Sequence, residues 1–350
     1  MANYDWKTFR DKIIKNPYYL GAPQALDKVT WARFEREEVL VSAEVAAAHQ
    51  SAADDAGTNF DHGGADLPDL GPASLLLVAK VSPDDCWLTP CGSWKGPTAI
   101  TPTFADLKLN CRLVAPEDPT FANDFRVVLR NLETLISRVE TKGYERVGVF
   151  DPKERPKTSI KLRHVVFEEK DLTDGNEEGN AFQLRDWPAK SLAAQNALES
   201  MDSTHRVNPI RTYDIGGNLI PPSQYMSTLQ GAVVRVEITI SHWGISKGSR
   251  DAYAADIDTL RVIVPAPLNF ASGSAKSPHK KNTSIPTKDY GPSLTKKTVS
   301  EKSILPAQTG EELYQGLSGR PGRGQTILIP KDEKPSGKIK KRVWPFLRGA

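Results

Sequence analysis

Residues 231–243 read GAVVRVEITISHW. Side chains two positions apart lie on the same face of a strand, which puts Val234, Val236, Ile238 and Ile240 on one face. Arg235, Glu237, Thr239, Ser241 and Trp243 fall on the other. The segment predicts a long strand with one wall against a core and one turned to water, with Trp243 on the solvated side beside Arg235.

The pattern recurs twice. In 159–169, SIKLRHVVFEE, Ile160, Leu162, His164 and Val166 are predicted inward and Lys161, Arg163, Val165 and Phe167 outward. In 258–264, DTLRVIV, Leu260, Val262 and Val264 oppose Arg261 and Ile263. Further strands are predicted at 74–80, at 106–114, where Leu107, Leu109 and Cys111 alternate with Lys108, Asn110 and Arg112, at 146–150, and at 210–215, where Arg211 and Tyr213 precede a Gly216-Gly217 turn. Residues 121–141 predict a helix: Phe125, Val128, Leu129, Leu132, Leu135, Ile136 and Val139 follow helical spacing, with Thr120 as cap and Gly143 as stop. Residues 5–14 predict a short amphipathic helix carrying Trp6, Phe9 and Ile13, and the Ala-rich run before residue 56 is compatible with another.

Many strands with one strong helix make this an α+β chain, mainly β. It is either an antiparallel sheet or a five-stranded barrel of the oligonucleotide-binding (OB) type. Irregular spacing between strands excludes a repeat array, and turn-rich polar stretches are expected at about 50–73, an exposed acidic loop, and about 170–208, an insertion.

The charge is unevenly distributed. Of 46 Lys+Arg and 43 Asp+Glu, residues 271–350 hold 16 and 6, or +10, which leaves 30 against 37, or −7, for residues 1–270. That last segment is rich in Pro, Gly and Ser with little hydrophobic periodicity, so it predicts a disordered basic tail on a folded body. Its cluster Lys338, Lys340, Lys341 and Arg342 reads as a phosphate-contacting patch, a nuclear-import signal or a docking peptide, and Ser277-Pro278 hints at a nuclear, eukaryotic setting.

Catalytic motifs are absent. There is no G-x-S-x-G or H-E-x-x-H; Gly319 and Gly324 have phosphate-loop spacing, but Gln325 stands where the lysine is needed. Three cysteines, Cys86, Cys91 and Cys111, do not make a disulfide framework or, with the scattered histidines, a metal set, so neither metal nor cofactor is expected. The N-terminus lacks a signal-peptide core and no stretch approaches the roughly 18 apolar residues of a membrane span, which predicts an intracellular protein, nuclear or cytoplasmic, that is neither secreted nor membrane-bound.

An outer face of cations with aromatics is what single-stranded nucleic acid needs, because every base has a face to stack and every phosphate a charge to neutralise. The expected function is non-enzymatic binding of single-stranded DNA, or RNA, through Lys161, Arg163, Phe167, Arg211, Tyr213, Arg235, Trp243 and Arg261, with the tail adding electrostatic affinity. The alternative is a protein-interaction scaffold whose tail docks on a partner or directs import.

Overall fold

The alternating segments become strands and close on one another. The computed structural model describes residues 5–34, 37–58, 70–98, 101–170 and 182–267. The basic tail with Lys338, Lys340, Lys341 and Arg342, and residues 59–69 of the expected acidic loop, lie outside them; the first part of that expected loop, up to Thr58, is instead the end of a helix that starts at Ala43.

The strands are β1 (Val29–Phe34), β2 (Glu37–Ser42), β3 (Leu75–Cys86), β4 (Lys108–Val114), β5 (Glu145–Val147), β6 (Ser159–Val165), β7 (Phe167–Glu169), β8 (His205–Val207), β9 (Arg211–Tyr213), β10 (Val233–Ile245) and β11 (Arg250–Val264). The helices are α1 (Trp6–Ile13), α2 (Ala43–Thr58), α3 (Pro119–Ser137), α4 (Leu192–Met201) and α5 (Tyr225–Leu229).

Five of these strands form a ring. β3 pairs with β4, β4 with β6, β6 with β11, β11 with β10, and β10 returns to β3. Numbered in chain order these strands run 1-2-3-5-4 around the ring and back to 1, the five-stranded closure of an OB-like barrel. Only the β6–β11 contact within the ring is parallel. Bulges in β3 between Val81 and Cys86, and in β11 at Ile263 and Asp258, opposite Val233/Val234 and Glu237/Ile238, bend strands that would otherwise stay flat.

Alternation fills the interior. Leu75, Leu77 and Ala79 of β3, Leu109, Cys111 and Leu113 of β4, Ile160 and Leu162 of β6, Val234, Val236 and Ile238 of β10, and Leu260 and Val262 of β11 belong to one buried cluster. Each large aliphatic side chain buried there contributes about 1.5–3 kcal/mol. The apolar stripe of α3, from Phe125 to Ile136, joins the same cluster. Helix α1 lies on the outside of β3: Ile13 packs with Phe121, Leu76 and Val78, and Asp124 accepts from Arg10 Nε (2.8 Å), Arg10 Nη2 (3.0 Å) and the Tyr19 hydroxyl (2.8 Å). That outer wall is therefore closed to a ligand. Near β5, Gly148 has φ +113°, and a Cβ there would stand 1.9 Å from the Tyr253 carbonyl oxygen, so no other residue lets this segment approach β11 so closely.

Several boundaries differ from the sequence reading. The helix expected over 121–141 begins at Pro119 and ends at Ser137, because Asp118, not Thr120, caps it: its Oδ1 accepts from Thr120 N (2.9 Å) and Phe121 N (3.2 Å). The strand expected over 159–168 breaks at Val166, where the chain leaves the barrel to pair β7 with β8. Val166 and Phe167 are thus both buried, and Phe167, expected outward, packs between Phe104 and Trp187. The insertion at 170–208 holds α4, whose Ala194, Leu198 and Met201 extend the core. The β1–β2 hairpin did not stand out in the sequence.

His164 points inward, as alternation implied, and burial pulls its pKa below the usual histidine value even though the carbonyls of Ile257 and Asn208 lie at 3.1 and 2.7 Å from its ring nitrogens. The unfolded chain then binds a proton at this site that the folded chain resists. Stability is predicted to fall as pH drops below about 6.5 and to be fully present above it. Denaturant unfolding between pH 7 and pH 5 checks this, with a flatter profile expected for His164→Gln.

Candidate nucleic-acid interface

Because odd-numbered β4 residues and even-numbered β6 residues fill the barrel, Lys108, Asn110 and Arg112 of β4 and Lys161, Arg163 and Val165 of β6 face outward. The antiparallel register sets Asn110 beside Arg163 and Arg112 beside Lys161. β3 extends the row: Cys86 is buried opposite Cys111, so Trp87 turns outward, its amide donating to the Asn110 carbonyl at 2.7 Å. One row around the wall therefore reads Trp87, Asn110, Arg163, Asp256, Thr239.

Carboxylates orient this wall. Asp85 accepts from the Trp87 indole (Nε1–Oδ1 3.0 Å) and from Arg112 Nε (2.7 Å), and Arg112 also donates to Ser159 Oγ (3.1 Å). Asp151 stands 3.8 Å from the same guanidinium, and its carbonyl accepts from Lys157, whose ammonium lies 5.7 Å from the Phe150 ring centre. Partial burial, with Arg155 nearby, pulls the Lys157 pKa below its usual value. Lys108, Arg112, Lys157, Lys161 and Arg163 share this wall with Asp85, Asp151, Glu154 and Asp256, so cations and carboxylates interleave there. Indole and guanidinium are held by one carboxylate, a preorganised pair for a planar, anionic ligand.

The residues expected from sequence separate into three groups. Lys161 and Arg163 are on this wall. Arg211, Tyr213, Arg235 and Arg261 meet on a second one, where the register sets Arg211 beside Thr259 and Arg261 between Tyr213 and Arg235. There Arg211 pairs with Asp258, and Arg235 with Glu237 at 2.5 Å. Phe167 is buried away from both, and Trp243 is buried beneath Arg163 of the first. Trp243, expected on the solvated face, is only 6% exposed: it packs with Val147, Ala252 and Ala254, and the Arg163 guanidinium covers its ring at 5.1 Å while paired with Asp256 at 2.8 and 3.1 Å. Neither aromatic presents an open face for stacking. Trp87, Lys108, Asn110 and Arg112 were not singled out as site residues. The alternation of β4 held the signal for three of them, and the odd-even step after Cys86 would have found the fourth.

No protein-family model and no curated protein matches the chain. Among solved structures, gp2.5, a single-stranded DNA-binding protein encoded by bacteriophage T7, matches at 11% identity and TM-score 0.35, over 55% of this chain and 93% of that one. The single-stranded DNA-binding protein of bacteriophage Enc34 in complex with ssDNA matches at 9% and 0.28, over 54% and 84%. Its C-terminal truncation matches at 8% and 0.29, over 67% and 95%. At these scores no residue role passes from those proteins to this one.

Replacing Arg163 with Ala is predicted to uncover Trp243 and leave Asp256 without its bidentate partner. The variant should lose about 2 kcal/mol in denaturant unfolding. Acrylamide should quench its tryptophan emission more than wild type, a difference that disappears when Trp243→Phe is added.

Proposed function

We propose that the chain is a non-enzymatic binder of single-stranded nucleic acid, DNA in the first instance, and that the strand lies across the outer wall of β4 and β6. Trp87 stacks a base, Lys108, Arg112 and Lys161 meet phosphates, and Asn110 offers an amide between them. The observation that carries this reading is the row in which an oriented indole at the end of the first ring strand stands beside an amide and a guanidinium on the second and third, the strands whose outer face OB barrels use for oligonucleotides. Arg163 serves it indirectly, by sealing Trp243 beneath the wall. An intracellular setting accords with such a ligand; nothing in the structure or the comparisons supports a nuclear or eukaryotic one.

Ion pairing sets the expected salt dependence. Arg112 and Arg163 already have carboxylate partners, so phosphate binding at the wall releases few counterions, and the tail cluster Lys338, Lys340, Lys341 and Arg342 supplies more. Titrating labelled oligothymidylate with full-length protein over a salt series tests both parts. Trp87→Ala should weaken binding by about 1–3 kcal/mol. Neutralising the four tail cations should lower the slope of log K against log salt by up to about 3, at about 0.7 per phosphate contact. Lack of binding by the full chain at low salt would overturn the proposal.

A further inference from the structure

β11 changes partner along a single edge. Asp256 neighbours Arg163 of β6, and three and five residues further on Thr259 neighbours Arg211 and Arg261 neighbours Tyr213, both of β9. At roughly 3.3 Å per residue these rows lie about 10 and 16 Å beyond the Arg163 row. The outward side chains between them, Thr239, Asp256, Glu237 and Thr259, with Asp258 in the bulge, are all partly exposed; the three carboxylates are each paired with an arginine, Arg163, Arg235 and Arg211, and no aromatic or large apolar side chain among them separates the two walls.

The far end of that path has an unusual surface. Arg261 is exposed, and its guanidinium makes no hydrogen bond or ion pair among the described residues, unlike Arg163, Arg211 and Arg235. Next to it the turn after β9 is tied down: Asp214 N donates to the Asn218 carbonyl (2.9 Å), Asn218 N donates to Asp214 Oδ1 (2.8 Å), and Gly217 takes the left-handed conformation at φ +87°. Hydrogen bonds from Asn218 hold the Asp214 carboxyl below its usual pKa and commit that charge to the turn rather than to Arg261. The same turn displays Ile215 at 55% and Leu219 at 43% exposure, two of three large apolar side chains so exposed among the described residues. Surface aliphatics on a fixed turn, with a half-buried tyrosine and an uncommitted guanidinium, suit a ligand that has both a flat apolar part and a negative charge.

We infer that a single strand bound on the β4–β6 wall continues along β11 to a second subsite on the β9 turn, where Arg261 holds a phosphate and Tyr213, flanked by Ile215, takes a base. The inference rests on the function proposed above and extends its footprint. An acidic peptide would match the charge and the aliphatics, but the continuous outer edge of β11 favours the strand that already occupies the first wall.

The test is a length series of oligothymidylates, from about 4 to about 12 nucleotides, within the usual span of one such barrel, measured with full-length wild type, Arg261→Glu and Tyr213→Ala. Wild-type affinity should keep rising across the series. Both variants should match wild type on the shortest oligomers and then level off, ending roughly tenfold weaker on the longest. Variant curves that track wild type at every length, or that fall equally at all lengths, overturn the second subsite while leaving the first wall standing. Absence of binding by wild type at every length would instead remove the proposed function beneath it.

Discussion

Closure of the barrel turns on the β10–β11 hairpin. Both strands are long enough to serve two neighbourhoods at once. β10 pairs with β3 through Val233–Ile238 and with β2 through Ser241 and His242, while β11 takes β5, β6 and β9 in succession along its other edge. The bulge at Asp258 resets the alternation, so that Asp256 and Thr259 both face out while Ile257 and Leu260 stay in the core. Without that reset, Arg261 would point into the barrel and the outward rows would not line up. Where β2 joins, His242 is buried with Nδ1 2.7 Å from Glu38 Oε2 and its ring stacked on Tyr253 at 4.6 Å, so the side hairpin is anchored to the same strand pair.

Electrostatics on this frame work by local pairing. A body with more carboxylates than cations would repel a polyanion if its charges were spread evenly, and the structure instead assigns a carboxylate to each of most outward arginines: Asp85 to Arg112, Asp256 to Arg163, Asp258 to Arg211, Glu237 to Arg235. Such pairs fix guanidinium geometry at the expense of net field. On the function proposed above, long-range attraction comes from unpaired cations such as Arg261 and from the basic residues after 270, and shape and stacking on the walls discriminate between ligands.

The barrel was legible in the sequence wherever one strand face is buried and the other is not. The alternation in β10 and β4 gave their inward residues correctly, because period-two patterning reports one buried wall. It failed where a second layer covers the outer wall. Trp243 has the parity of a solvated residue, yet Val147 and Arg163, from distant segments, close over it. Phe167 broke the rule differently: the chain passes from one sheet to another at Val166, and parity has no meaning across that step. The hairpin of β1 and β2 hides because Arg33, Glu37 and Glu38 dilute its apolar positions, and α4 because a short helix with a narrow buried stripe resembles a polar loop. Trp87 is hidden in the sequence because it opens a stretch broken by Pro90, Gly92, Gly96 and Pro97, and its direction depends on pairing with Asn110.

Photocrosslinking of an iodouracil-substituted single strand to the full-length protein, followed by peptide mapping, tests the central claim most directly. If the strand lies on the barrel wall, crosslinks fall on Trp87 and on peptides containing β4 and β6, and salt that strips the tail leaves them in place. Crosslinks confined to residues 271–350, with none on the barrel, would contradict it.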